Sequence, residues 1–464
     1  MGTIRPGVSV VARYRRNPVV MRPMRKALLA VALAVMYVLV CVAPLAFVFV
    51  GPLPPRQPFA AELSVVFGFL GLSLMGLQMV LVGRFTWLAV PFGFDVLQRF
   101  HRQVSFVALA FVLAHPILLF VDDARQYLPL LVIPTAPWRS RLAVASVTLL
   151  LVLIALSVWR RRLRIPYEVW QLTHNLLAIA VMLTAIAHID GVGLYTHGPV
   201  RRVLFDAMAG SFVVLLLWTR LIRPMTHLLR PWRVAEVWHE RGAAVTLLLQ
   251  PVGHAGVTFT PGQFVWLSRW PFMLGQHPYS ISCPDGVEME GHLSITIKSL
   301  GAGSEGMSHV SVGRWLYLDG PHGSFCVDAH PAHGYVFVAA GVGVTPIFSM
   351  LSSMCLREDM RHVTLIYASR DWDSVIFRDE LEELQLYMPN LTVVHVLRDA
   401  PPEWEGERGR ITLGVLARHL PSRLHQQMEY LVCGSAELMD EMERGLTTLG
   451  VPPEQIHTER FAEV

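Results

Sequence analysis

The first half of the chain is written in long apolar runs broken by short basic loops, and the second half in short β-branched and aromatic segments punctuated by Gly and Pro. Six runs, near 27–50, 62–82, 99–120, 141–159, 171–190 and 205–220, each come close to the ~20 residues that a bilayer-crossing helix needs. The pattern predicts an α-helical six-span membrane bundle over 27–225, behind a basic segment at 1–26. The first run is 24 residues long; a signal-peptide core usually has about 7–15, so an uncleaved anchor is expected. Farther on, "AAVTLLLQP" (243–251), "GQFVWLS" (262–268) and "HLSITIKSL" (292–300) read as strands of a small antiparallel β-barrel over 226–330. From 331 to 464 the strands "YVFVAA" (335–340), "VTLIYASR" (363–370) and "EYLVCGS" (429–435) alternate with helical stretches, as in an α/β domain.

Composition agrees with two solvents. Of 464 residues, 53% are hydrophobic and 16% charged, against about 25% charged in ordinary soluble proteins. Basic residues mark one side of the membrane. Arg13, Arg15, Arg16, Arg22, Arg25 and Lys26 precede the first run, "RRRLR" fills 160–164, and Arg220, Arg223, Arg230 and Arg233 lie at or after the sixth run. Six spans bring all of these to the cytoplasmic face, whereas the 121–140 loop holds Asp122 and Asp123. The expectation is a multi-pass protein of the cell (inner or plasma) membrane, with its N-terminus and soluble half in the cytoplasm. Of five cysteines, Cys41 is in a run and the other four are in the soluble half, so no outer loop offers a disulfide pair. The expected partners are the lipid bilayer and a small molecule, not nucleic acid.

Four histidines interrupt the apolar runs. "HRQVSFVALAFVLAH" (101–115) and "HNLLAIAVMLTAIAH" (174–188) begin and end on His at the same spacing. Fourteen residues are nearly four helical turns, so each pair shares a face, about 21 Å apart along the axis. Ionisable groups at membrane depth are costly and usually functional. The third and fifth runs point the same way, which sets His101 opposite His174 and His115 opposite His188. Two stacked bis-imidazole sites suit two b-type haems passing single electrons. Zinc prefers about four ligands per site, and a proton relay needs no matched pairs. The remaining histidines, His330 and His457 among them, show no ligand spacing and read as solvated or core residues.

The motifs "PGQFVWL" (261–267), "HPYSIS" (277–282), "IKSLGAGS" (297–304) and "DGPHGSF" (319–325) follow one another in order. That set resembles the ferredoxin-NADP reductase superfamily. With the histidine segments attached, residues 60–461 resemble the NADPH oxidase and ferric reductase family. The resemblance implies FAD, with Tyr279 stacked on the isoalloxazine and Ser280 near its N5. It also implies that Lys298, Gly303 and Ser304 cradle the pyrophosphate, Ser304 opening a short helix. His277 and Pro278 match the membrane family, where many soluble reductases carry Arg at the first of these positions.

Next comes "GVGVTP" (341–346). Gly341 and Gly343 permit a tight turn and close approach to a phosphate; Thr345 is expected as helix N-cap and Pro346 at the first helical position. By the resemblance, Cys433 and Gly434 lie beside the nicotinamide, and Phe461 covers the flavin face. Arg370 stands after the second strand where an acid would favour NADH, and it can meet a 2′-phosphate bidentately. NADPH is therefore preferred and NADH is the alternative.

The resemblance implies an oxidoreductase that moves electrons from cytoplasmic NAD(P)H through FAD, the inner haem and the outer haem to an outer acceptor. Oxygen, giving superoxide, and ferric chelates are both candidate acceptors. Leu119 occupies a position where oxygen-reducing relatives carry His, and only Arg56 approximates their outer arginine. The alternative is an electron-delivery subunit for a periplasmic redox partner protein. Arg84 and Arg99, at cytoplasmic span ends, are candidates for pairing with inner-haem propionates.

Overall fold

The computed structural model describes residues 23–50, 55–271, 275–285, 291–299, 302–420 and 427–459. Two compact units result, Pro23–Met225 and one that begins at Thr226.

The first unit is helical. Its elements are α1 (Pro23–Phe47), α2 (Phe59–Val82), α3 (Thr86–Phe92), α4 (Phe94–Tyr127), α5 (Trp138–Trp159), α6 (Tyr167–Val192) and α7 (Pro199–Leu217). Among the described residues, five helices are long and apolar enough to cross a membrane: α1, α2, α4, α5 and α6. Their outward faces carry large apolar side chains, with Leu28 and Val31 more than 60% exposed. A soluble protein would bury these; lipid welcomes them. The sixth run is also helical, but α7 opens with Arg201, Arg202 and Asp206, which break its apolar stretch. Even so, Phe205 and Phe212 of α7 are buried against Phe69 and Leu72 of α2 and Met182 of α6. A five-residue π-helical turn, Trp218–Ile222, and the short α8 (Arg223–Leu228) follow.

Small residues decide which helices touch. At Gly71 an added Cβ would lie 2.8 Å from Val112 Cγ2, so α2 and α4 approach closely only because glycine is there. α5 packs along α6 in the same intimate way, whereas α4 and α6 make few direct contacts.

The second unit contains two six-stranded sheets. The first is antiparallel in all its pairings, in the order β4-β3-β6-β1-β2-β5. Its strands are β1 (Trp232–Glu240), β2 (Ala244–Pro251), β3 (Phe264–Ser268), β4 (His277–Ser280), β5 (Leu293–Lys298) and β6 (Trp315–His322), with α9 (Ala302–Ser308) between the last two. An isolated bridge, Ile281 to Ile295, joins the two outermost strands. Trp232, Leu247, Val265, Ile281, Leu293 and Leu316 fill the interior. β1 lies where only a basic linker is legible in the sequence.

The second sheet is parallel, in the order β10-β9-β8-β7-β11-β12. It consists of β7 (Gly334–Ala340), β8 (His362–Ser369), β9 (Leu391–Leu397), β10 (Glu407–Arg408), β11 (Met428–Cys433) and β12 (Ile456–Glu459), with helices α10 (Val344–Leu356), α11 (Arg378–Tyr387), α12 (Leu413–His419) and α13 (Ala436–Thr448). Alternate residues of β7 enter two different cores: Tyr335, Phe337 and Ala339 on one face, Val336 and Val338 on the other. That accounts for its unbroken apolar run. Each such side chain, fully buried, contributes about 1.5–3 kcal/mol. The chain leaves β7 toward β8 on one side and later returns to β11 on the other. Strand order therefore reverses between β7 and β11, the kind of point where open α/β sheets bind ligands at strand carboxyl ends.

Candidate redox sites

α4 and α6 bring the four membrane histidines into two facing pairs. The rings of His101 and His174 have centroids 6.4 Å apart, and those of His115 and His188 also 6.4 Å. This is too far for a direct hydrogen bond, and it suits an ion between them. A metal–imidazole bond is about 2.0–2.1 Å, so two opposed ring nitrogens stand ~4 Å apart and their ring centroids about 6 Å.

Neighbouring helices hold the rings in position. His115 Nδ1 lies 2.9 Å from the Ser64 carbonyl of α2, with Ser64 Oγ at 2.8 Å. His188 Nδ1 donates to the Arg139 carbonyl of α5 at 2.9 Å. His174 Nδ1 is 3.1 Å from Ser157 Oγ, also on α5, and that hydroxyl donates onward to Leu153. A proton on Nδ1 in each case leaves the Nε2 lone pair to bind a metal, the usual tautomer logic of metal-bound histidine. His101 Nδ1 is buried with no hydrogen-bond partner among the described residues. Arg220 interacts electrostatically with both His101 and His174, and with Arg84. The donor set fits two bis-imidazole haem sites.

In the soluble unit, β4 pairs with β3 so that Tyr279 faces Val265 and Ser280 faces Phe264. Tyr279 is buried, yet its hydroxyl has no hydrogen-bond partner among the described residues. Burial pushes its pKa up, against the pull of nearby Arg269. An orphaned phenol of this kind costs stability unless a bound group satisfies it. His277 and Pro278 open the same strand. Lys298 closes β5, while Gly303 and Ser304 lie in α9, directly after the 300–301 segment. Burial and the charge of Arg370 lower the Lys298 pKa, with Asp371 opposing. Lys298 and Arg370 therefore share one neighbourhood, although they lie on different sheets.

At the switch point, β7 runs into a 3-10 turn at Gly341–Gly343 and then α10. Gly341 has φ +54°, and nothing lies within 4 Å of where a Cβ would sit. The turn is open on that side, as a nucleotide cradle should be. Gly343 is tight instead: an added Cβ would sit 2.7 Å from the Cys433 carbonyl carbon and 3.0 Å from the Gly434 nitrogen. "GVG" and "CG" are thus in contact across the reversal.

The helix start differs from the expected one. Gly343 is the N-cap, without a side-chain cap bond. Thr345 is the second helical residue and donates its hydroxyl to the Val342 carbonyl at 2.8 Å. The tight turn pulls the helix start two residues forward. Pro346 remains in the first turn, where a missing N–H goes unused. Burial and the neighbouring Glu459 push the Cys433 thiol pKa up. Phe461 lies outside the described residues.

Arg370 is exposed and uses its Nε on Asp371 at 3.0 Å, which leaves its terminal nitrogens available. If they meet a 2′-phosphate, Arg370→Ala should cost on the order of 1.5–3 kcal/mol. That is about ten- to a hundredfold in the NADPH-over-NADH ratio of kcat/KM, and an unchanged ratio removes Arg370 from nucleotide choice.

Four contributors carried no readable signal in the sequence. Ser64 and Ser157 have ordinary small-residue neighbours in their helices. Arg220 passes for a membrane-orienting charge. Arg269 donates from Nη1 to the Gly306 carbonyl at 2.8 Å, which ties α9 to the end of β3.

Two family models match this sequence, "Ferric reductase like transmembrane component" over 67–185 and "Oxidoreductase NAD-binding domain" over 337–444. Ferredoxin–NADP reductase B of Sorangium cellulosum is 34% identical over 190 residues, covering 39% of this chain and 77% of that relative. The chain belongs to the ferredoxin–NADP reductase superfamily, in a form fused to a ferric reductase-like membrane domain. Flavohemoprotein of Bordetella pertussis is 26% identical over 245 residues, 50% of this chain and 60% of its own length. NADH-cytochrome b5 reductase 1 of Meyerozyma guilliermondii is 28% identical, over 35% of this chain and 58% of its own length. The chain thus spans about three fifths of these two relatives. The FAD/NAD-binding domain of the Vibrio cholerae nitric oxide dioxygenase aligns with a TM-score of 0.42 at 23% identity, over 50% of this chain and 97% of that one. This fused reductase is a multi-pass membrane oxidoreductase whose soluble half is of the FAD/NAD-binding type. The ferric reductase-like match includes His101, His115 and His174; His188 lies just beyond it.

Proposed function

We propose that this reductase takes electrons from NAD(P)H, NADPH in preference, on the cytoplasmic side of a cell membrane and delivers them to an acceptor outside, a ferric chelate or oxygen giving superoxide. The observation that carries the reading is the two imidazole pairs, each with ring centroids 6.4 Å apart, on the same two helices. Six crossings, with α7 as the last, would gather the basic loops on the cytoplasmic face. When bound, FAD would accept hydride and release single electrons, and two b-type haems would relay them across the membrane.

The chain's own residues bind, orient and exclude water. His101 and His174 would hold the inner haem and His115 and His188 the outer, and Nδ1 partners fix the ring direction of His115, His174 and His188. Arg220 and Arg84 offer cations to the carboxylates of the inner group. In the soluble unit the antiparallel sheet acts as a closed barrel, sealed at Ile281–Ile295. Tyr279 and Ser280 face the flavin beside His277 and Pro278, and Lys298, Gly303 and Ser304 hold its pyrophosphate. Gly341, Gly343, Thr345 and Pro346 receive the nicotinamide nucleotide. Gly434 and an uncharged Cys433 shape the nicotinamide pocket.

The test is haem content. Purified protein should hold two b-type haems per chain by pyridine haemochrome. The double variant His115→Ala, His188→Ala should hold one, and a variant that keeps both would refute the assignment.

A further inference from the structure

A second set of metal-type donors lies at the other end of the parallel sheet. His330 follows the 3-10 turn Val327–Ala329, Glu429 is the second residue of β11, and His457 is the second residue of β12. The register pairs Leu431 with His457 and Glu429 with Tyr335, and the Tyr335 hydroxyl donates to the His330 carbonyl at 3.0 Å. Three segments remote in sequence thus converge at the amino-terminal edge of the strands. The Gly341–Gly343 turn and Cys433 are at the carboxyl edge.

The three side chains crowd around one point. His457 Nε2 lies 2.6 Å from Glu429 Oε2, and the His330 and His457 rings stack with centroids 3.5 Å apart. One ligand atom from each residue lies within 4.8 Å of the other two, and all three residues are half-buried. Glu454 adds negative charge close to Glu429. Two imidazoles and a carboxylate, with further negative charge nearby, are a donor set for a borderline divalent ion.

We propose that His330, Glu429 and His457 form a binding site for a divalent transition ion, typified by Zn2+. Metal–nitrogen and metal–oxygen bonds of about 2.0–2.2 Å put tetrahedral ligand atoms about 3.3 Å apart, so the 2.6 Å His457–Glu429 pair would open a little and the wider pairs, all within 4.8 Å, would close. Three protein ligands leave one position for water. The ion would clip β12 and β11 to the segment entering β7, without touching the proposed electron path.

The test uses the full chain in detergent with its cofactors, tag removed, stripped with EDTA and titrated with ZnCl2 against a chromophoric chelator. Wild type should bind one zinc that His330→Ala and Glu429→Gln each weaken at least tenfold, with flavin absorbance and NAD(P)H–dye activity retained. If a variant loses its flavin through misfolding, zinc K-edge absorption on wild type decides, and the expected shell shows two imidazoles. Absence of tight zinc binding in wild type, equal binding in well-folded variants, or a zinc shell lacking two imidazoles would each overturn the site. Zinc binding is read without any transfer through the histidine pairs, so this outcome is independent of the transmembrane redox reading.

Discussion

With His188 replaced by Ala, reduction of an impermeant ferric chelate outside sealed vesicles should collapse, while cytoplasmic NADPH still reduces dyes that accept from flavin. Groups that merely orient a metal ligand are worth about 10–100-fold, and loss of a residue that would itself hold the metal should exceed that. The geometry makes the expectation specific. His188 faces His115 across 6.4 Å and is steered by the Arg139 carbonyl at 2.9 Å, so its removal strips one of two donors from the outer pair and leaves His101 and His174 intact. Vesicles loaded with NADPH on the cytoplasmic face separate the two activities. Undiminished chelate reduction would mean that electrons leave by another route.

Gly343→Ala should produce the second large loss, this time at the soluble end. The new methyl would meet the backbone of Cys433 and Gly434 at 2.7 and 3.0 Å, and backbone inside a parallel sheet cannot yield cheaply. Overpacking of this kind costs about 1–3 kcal/mol, or roughly ten- to a hundredfold in NAD(P)H oxidation if it falls on the nucleotide-binding state. Haem content should stay unchanged. Gly341→Ala is the control: nothing stands near its Cβ position, so only the left-handed backbone penalty of about 1–2 kcal/mol applies. Stopped-flow flavin reduction on both variants gives the order, and Gly341→Ala proving the worse would contradict the contact argument.

Local patterns were the most legible part of this molecule. The apolar runs marked α1, α2, α4, α5 and α6 because lipid imposes length and composition directly. The buried strands β7, β8 and β11 showed as β-branched runs because both of their faces are covered. Equal histidine spacing on α4 and α6 made a facing arrangement arithmetically available. What stayed hidden depends on distant chain. β1 alternates charged and apolar residues and looked like linker until β2 and β6 flanked it. The start of α10 moved because a 3-10 turn precedes it, which no residue type announces. Ser64, Ser157 and the Arg139 carbonyl act through helices other than those bearing the histidines. His330 and His457 read as solvated or core residues, and their approach to Glu429 exists only once β11 and β12 pair.

The sparse contact between α4 and α6 has a consequence for assembly. α2 with α4, and α5 with α6, form two well-packed plates, joined through α7 by the core of Phe69, Leu72, Met182, Phe205 and Phe212. Each plate carries one histidine of each pair, already oriented by its own members: Ser64 steers His115 in the first, and Ser157 and Arg139 steer His174 and His188 in the second. Parting the plates would open the core that α7 shares with α2 and α6, so the sparse α4–α6 face leaves a gap that other helices hold at its width. A group bound between the facing imidazoles would meet His115, His174 and His188 already oriented, and only His101 would be set by the binding itself.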